Sequence, residues 1–297
     1  MRLRNLVTEQ RNSASENLDR MSALELAELM NREDMVVPCA IQKVLPQIAQ
    51  AIELIVDSMQ KGGRLIYVGT GTSGRIGALD ASECPSTFGI EPDRVQFLMA
   101  GGEAAVVHAS EASEDSRELG RRDMATKRPG KWDVVAGIAA SGRTPYTVSA
   151  LTYAASKGAR TIGISSNHGS ELGKIVDICI EVDVGPEVLT GSSRLKAGTA
   201  QKLICNMLST GSMARLGYVY SNLMVNLHLK NEKLVERGIA IVRSLTQADR
   251  TLARKTLAKA DMSIPLALVM LKTGMEKAEA ARRLSEANGN VRRAIGE

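Results

Sequence analysis

Apolar residues along this chain fall into short continuous runs and longer runs of helical period. The short ones are Leu65-Ile-Tyr-Val68, Val95-Gln-Phe-Leu-Met99, Asp133-Val-Val-Ala-Gly-Ile138, Thr161-Ile-Gly-Ile-Ser165 and Asp177-Ile-Cys-Ile-Glu-Val182. Each has the length of a strand, and helix-length segments separate them. That alternation predicts an α/β protein with a doubly wound, parallel, five-stranded sheet flanked by helices. Ligands on such sheets gather beyond the carboxyl ends of the strands.

Ahead of the sheet, residues 1–20 are polar and aperiodic, the pattern of an arm that packs across a partner or stays loose. Ser22-Ala-Leu-Glu25 is a capping box opening a short helix to about Met30. Pro38 begins a longer amphipathic helix, with Ile41, Val44, Leu45, Ile48, Ile52 and Ile55 on one stripe, which Gly62 and Gly63 end. Behind the sheet the pattern is helical from Leu195 to about Leu245. Shorter amphipathic pieces follow at 247–260, 264–272 and 275–287, with breaks at Ser263-Ile-Pro265, Gly274 and Gly289. Three parts are expected: an arm with helices over 1–62, the sheet domain with its following helices over 63–245, and a small three-helix, UBA-like module over 246–297.

Composition narrows the function. With one Trp, two Phe and five Tyr in 297 residues, the chain lacks the rings for a single-strand stacking platform. The net charge of +5 arises after Asn231, where 13 basic residues face 8 acidic ones, while the preceding chain carries 25 of each. The basic excess thus belongs to the carboxyl-terminal region, and no nucleic-acid partner is expected. Cys39, Cys84, Cys179 and Cys205 show no CxxC spacing, and with His108, His168 and His228 they predict neither a metal site nor a disulfide framework. No run approaches the roughly 18 apolar residues of a membrane helix, and the first residues lack a signal peptide's apolar run. A reduced cytoplasmic protein is expected.

Two strand-to-helix turns and one further loop carry the chemistry. Gly69-Thr-Gly-Thr-Ser-Gly-Arg75 formally matches GxGxxG, but the second strand ends Phe97-Leu-Met-Ala-Gly101, without the acidic residue that would hold a nucleotide's ribose. Its Thr72 and Ser73 instead offer hydroxyls. Ala140-Ser-Gly-Arg-Thr-Pro145 places Ser141, Arg143 and Thr144 before a helix that Pro145 opens, where free N–H groups favour a phosphate monoester. Gly191-Ser-Ser-Arg-Leu-Lys196 adds Ser192, Ser193 and Lys196. Three such turns around one sheet predict a sugar-phosphate pocket with no cofactor. Arg75 and Arg143 have the geometry either to hold phosphate or to brace their loops. Lys196 is placed either to reach substrate or to neutralise a carboxylate. His108 lies in an Ala/Val-rich helix and reads as structural.

These residues also carry a resemblance. Gly71-Thr-Ser-Gly-Arg75, Leu79-Asp-Ala-Ser-Glu-Cys-Pro85, Ala139-Ala-Ser-Gly-Arg-Thr-Pro-Tyr146, Val184 to Lys202, Asn206-Met-Leu-Ser-Thr-Gly211, Thr8-Glu-Gln-Arg-Asn12 and Ala287 to Arg293 resemble the N-acetylmuramic acid 6-phosphate etherase family over nearly the whole chain. The resemblance implies the SIS fold, a flavodoxin-like arrangement, and cleavage of the substrate's D-lactyl ether in amino sugar and cell-wall recycling metabolism. It implies Glu83 as the group that protonates departing lactate and later activates water, and Glu114 as the base at C2. Spacing alone leaves Glu83 as readily a helix-surface acid, and Glu114 part of a solvated face with Glu111, Asp115 and Glu118. The chain departs from the family pattern at Thr70, Ser86, Ser113 and Asn226, and the change at Ser113 stands beside Glu114.

A sugar-phosphate isomerase or a non-enzymatic sugar-phosphate sensor would use the same pocket. Lactate release separates the etherase from both. The stretch Leu195–Leu229, with Leu203, Ile204, Met207, Leu208, Met213 and Leu216 on one stripe and Leu223, Met224, Val225 and Leu227 in a second cluster, is more apolar than one domain is expected to cover. It predicts a homodimer. The resemblance implies the same, with residues borrowed across the subunit boundary.

Overall fold

The computed structural model describes residues 6–102, 104–107 and 113–297. The chain divides into two compact units, one running to Ser82 and resuming over Pro92–Ser209, the other made of Glu83–Glu91 and Thr210–Glu297.

The first unit holds the expected sheet: β1 (Leu65–Gly69), β2 (Val95–Met99), β3 (Val134–Ile138), β4 (Arg160–Ser165) and β5 (Ile178–Glu181), all parallel, in the order β2-β1-β3-β4-β5. Every residue of β1 and β3 is buried, which is why these strands lack polar alternation. Ile66, Val68 and Val135 share a core with Met124 of α6 (Arg117–Thr126) and Tyr146, Leu151 and Ala154 of α7 (Pro145–Ser156). Tyr67 points to the opposite face. There it meets Gly77 of α4 (Gly71–Phe88) so closely that a Cβ on Gly77 would lie 2.8 Å from its own. Strand order reverses between β1 and β3, so the amino ends of α4 and α7 emerge at the topological switch point. A short helix α5 (Ala104–Val107) follows β2, and α8 (Lys196–Leu216) follows β5. His108 and Glu111 lie outside the described residues.

The described part of the arm is held on its own chain. Residues 6–20 form short 3-10 turns, with Leu6 and Thr8 buried. The Val7 N–H donates to Asn167 Oδ1 (2.7 Å), and Asn167 Nδ2 donates to Thr8 Oγ1 (3.4 Å) and Ala140 O (3.0 Å). Polar, aperiodic sequence here marks an arm fixed by hydrogen bonds instead of apolar packing. The single amphipathic helix expected from Pro38 is also two. After α1 (Ala23–Asp34), which the Ser22–Glu25 capping box opens, α2 (Val36–Gln42) stops and α3 (Leu45–Gln60) restarts at a bend of 63°. Pro46 sits in the first turn of α3, where its missing N–H is harmless, but its ring cannot continue α2.

Helix was expected from Leu195 to Leu245, yet α8 ends at Leu216. Gly217, at φ +92°, turns the chain into a small hairpin of β6 (Val219–Tyr220) and β7 (Leu223–Met224), and α9 begins only at Glu232. The second unit then contains α9 (Glu232–Leu245), α10 (Arg250–Lys259), α11 (Ile264–Thr273), α12 (Lys277–Glu286) and a five-residue α13 (Val291–Ile295), too short for its period to show in the sequence. It is larger than a 246–297 module, because Ile239 and Val242 of α9 and the buried Val225 and Leu227 share one core with Leu257, Ile264 and Leu268. Leu223 and Met224 pack against that core, and Ile204, Leu208 and Met213 of α8 are buried. Most of the apolar flank from which a subunit interface was expected is therefore covered within the chain. Exposed apolar side chains stand instead on the first helices (Leu24, Met30, Met35, Val36, Leu45) and at Leu79 of α4. No single described helix is long and apolar enough to cross a membrane.

Candidate active site

The site is built from the amino ends of α4 and α7. Gly71 opens α4 at φ +50°, a conformation suited to glycine, and a Cβ there would lie 3.1 Å from Glu114 Oε1. The Glu114 carbonyl, meanwhile, accepts the Tyr146 N–H (3.1 Å) in the first turn of α7. One residue thus has its main chain fixed to α7 and its half-buried carboxylate against α4, at two helix termini whose dipoles favour negative charge.

Hydroxyls surround this point unequally. Thr72 is half-buried, its methyl 3.6 Å from where Gly198 of α8 would carry a Cβ. Ser73 is buried and donates to Gln201 Oε1 (2.9 Å), so its proton is committed to α8. Ser141 and Thr144 are half-buried, and Thr144 occupies the N-cap position of α7 without bonding the helix. The Ser141 Oγ accepts the Arg143 N–H at 3.4 Å, and the Arg143 side chain is exposed. Ser192 and Ser193 are half-buried in the β5–α8 loop. Ser166, just past β4, is buried with a hydroxyl that has no hydrogen-bond partner among the described residues, and no motif or spacing in the sequence signals it. Arg75 braces α5, donating to the carbonyls of Ala105 (3.0 Å) and Val106 (2.8 Å).

Lys196 is buried, and its ammonium donates to Glu33 Oε2 of α1 at 2.7 Å. Asn12 of the arm donates to the same oxygen (2.7 Å) and to the Pro186 carbonyl (3.2 Å). Burial pushes the Glu33 carboxyl up, but these hydrogen bonds and the Lys196 charge outweigh it and hold the group below its ordinary value. Glu187, fully buried, caps α8 by accepting the N–H groups of Lys196 (3.0 Å) and Ala197 (2.9 Å), and burial keeps its carboxyl raised. Of the two alternatives for Lys196, the geometry realises neutralisation of a carboxylate.

Glu83 lies further along α4. It follows Gly71 by twelve residues on α4, about 18 Å of helical rise. Leu79, Ser82, Glu83 and Ser86 form the exposed face of that helix. The opposite face is held by Asp80, which is buried and accepts from Tyr67 Oη (2.9 Å), Asn206 Nδ2 (2.8 Å) and Ser209 Oγ (3.0 Å). Burial pushes the Asp80 carboxyl up in spite of these donors. A cleft of about 510 Å³ beside the arm, lined by Arg11, Asn12, Ser15, Leu26, Val188 and Leu189, contains none of the predicted site residues. Among the described residues, no group of three His, Cys, Asp or Glu side chains is arranged to hold a metal ion.

Known proteins give this arrangement a context. The glucokinase regulatory protein N-terminal SIS domain model matches residues 47–155, and the SIS domain model matches residues 112–211. The sheet-bearing unit is accordingly a SIS domain. The chain is 51% identical over 293 residues to an N-acetylmuramic acid 6-phosphate etherase of Actinobacillus pleuropneumoniae serotype 5b, covering 99% of this chain and 96% of that protein. It is likewise 51% identical over 295 residues to N-acetylmuramic acid 6-phosphate etherase 2 of Lactiplantibacillus plantarum, covering 99% and 100%. A solved phosphoheptose isomerase from Francisella tularensis aligns with 64% of this chain and 100% of its own length, at 19% identity and a TM-score of 0.49.

Proposed function

This chain belongs to the N-acetylmuramic acid 6-phosphate etherase family, and we propose that it cleaves the D-lactyl ether of N-acetylmuramic acid 6-phosphate, giving N-acetylglucosamine 6-phosphate and D-lactate. An unactivated ether resists direct hydrolysis, but the open-chain aldehyde acidifies the proton on C2. Glu114 takes that proton. The C3–O bond then breaks, the lactate oxygen takes a proton from Glu83, and a C2–C3 double bond is left. Water adds at C3, returning a proton to Glu83, and C2 is reprotonated. The reaction serves amino sugar and cell-wall recycling metabolism in the cytoplasm, a compartment in keeping with the free state of the four cysteines.

The observation that carries this reading is the seat of Glu114 at two helix amino termini. The start of α4 faces its carboxylate and the first turn of α7 holds its main chain, beside the hydroxyls of Thr72, Ser141 and Thr144. Phosphate fits best at the start of α7, whose N-cap hydroxyl is uncommitted. Lactate release from the purified protein, assayed with and without the 6-phosphate on the sugar, tests both points. Ser141→Ala and Thr144→Ala should each weaken substrate binding by about 0.5–1.5 kcal/mol, rising toward 3 where the acceptor is charged, with the fold intact. Equal turnover of unphosphorylated N-acetylmuramic acid would overturn the phosphate assignment.

The working form is a homodimer in which Glu83 serves the partner's site. The separation of Glu83 from Gly71 along α4 supports this, as does the exposed Leu79 on the same helix face. Co-expressed Glu83→Ala and Glu114→Ala chains should then regain about a quarter of the parent activity. Half the dimers are mixed under random pairing, and each mixed dimer has one site with both carboxylates. No recovery in dimers shown to be mixed rules out a shared site.

A further inference from the structure

We infer that Glu9, on the amino-terminal arm, is a substrate-orienting carboxylate that holds the uncharged part of the sugar through its acetamido N–H or a hydroxyl. The inference rests on the activity proposed above. Glu9 lies between the arm's two anchors, Val7 and Thr8 on Asn167 and Asn12 on Glu33 and Pro186. It is exposed, and its Oε2 stands 3.6 Å from where a Cβ would sit on Gly191, a residue at φ +81° in the turn that carries Ser192 and Ser193. Among the described residues its carboxylate makes no hydrogen bond or ion pair; only its main-chain N–H is engaged, donating to the Leu6 carbonyl (3.0 Å).

A carboxylate repels both anionic ends of this substrate, the phosphate and the lactyl carboxylate. It accepts from N–H and O–H groups. Glu9 therefore gives the site a polarity: phosphate belongs at Ser141 and Thr144, while Ser192 and Ser193 meet sugar hydroxyls. The arm is rigid enough to enforce this, because Asn167, which grips Thr8, also donates to the carbonyl of Ala140, the residue before Ser141.

The test uses the full-length parent, Glu9→Ala and Glu9→Gln, with lactate release inhibited competitively by N-acetylglucosamine 6-phosphate or by inorganic phosphate. For Glu9→Ala, KM and the sugar-phosphate inhibition constant should rise about 10- to 100-fold, the range for a hydrogen bond to a charged group. The rise should be smaller for Glu9→Gln, which keeps an acceptor and guards against a misfolded alanine variant. Inorganic phosphate should bind as well as to the parent or better, since a repelling charge is gone. Sugar-phosphate binding that is unchanged or tighter in both variants overturns the inference, and so does a parallel weakening of inorganic phosphate, which would mean a displaced arm. A parent that releases no lactate would remove the etherase reading itself, a different failure.

Discussion

Glu83→Ala should release lactate about 10²–10⁴-fold more slowly than the parent, the usual worth of one proton-transfer group, while still exchanging the C2 proton with deuterated water. The structural cost is small. Glu83 stands on the exposed face of α4, and the hydrogen bond it contributes to its own turn, from Ser86 Oγ to the Glu83 carbonyl, uses main chain only. Exchange depends on the base at C2 and on ring opening, neither of which needs the leaving-group acid. Proton NMR of the substrate in deuterated water, run beside a lactate assay, reads the two steps separately. Glu114→Ala should lose both. If Glu83→Ala, folded by circular dichroism, loses exchange and lactate release to the same extent, the division of labour is wrong.

Lys196→Met should be the most destabilising single change near the site, by at most about 3–5 kcal/mol, because it leaves a partly buried carboxylate without its cation and with only Asn12 as donor. The side chains of Lys196 and Glu33 are 2% and 17% exposed, so water rescues little of the loss. Glu33→Gln combined with Lys196→Met should recover part of it, and the double-mutant cycle in urea unfolding measures the coupling. Acid separates the groups further. The folded-state carboxyl of Glu33 is held low, so its stabilisation is complete above its ordinary value of 4.5 and is lost as pH falls through the lower folded value. Glu187 and Asp80 are held high and act in the opposite sense: the folded protein takes up their protons first, so their contribution improves as pH falls through the raised values. Asp133 and Glu181, also held low, add to the acid loss, so the difference between parent and Glu33→Gln isolates one residue. A Lys196→Met protein that unfolds at the parent's urea midpoint would refute the account.

The central strands β1 and β3 were legible because parallel strands buried on both faces must be apolar throughout, and β2, β4 and β5 because each repeats a short apolar run between helix-length segments. The helix starts at Ser22, Pro145 and Ser263 were legible for an equally local reason, as caps and first-turn prolines act within one turn. What stayed hidden depends on partners far away in sequence. Thr72 and Ser73 read alike in one loop, yet Gln201 engages only the second. Lys196 had two readings until Glu33, 163 positions away, chose between them. The arm showed no period because Asn167 and Glu33 hold it by hydrogen bonds to a few polar groups. The apolar residues after Leu216 matched a helix in composition, but Gly217 diverts them into a hairpin.

Asp80 constrains more than its own position. Its carboxylate is shared among donors from β1 and α8, and that contact sets the rotation of α4 and hence the direction in which Glu83 projects. Loss of one donor alone leaves a buried acceptor unsatisfied, whereas replacing the whole group with matched apolar side chains is far less damaging. Selection at positions 67, 80, 206 and 209 therefore acts on a set. A lineage can abandon the set together or keep it together, but the intermediate steps are penalised through the orientation of a residue that none of the four needs to touch.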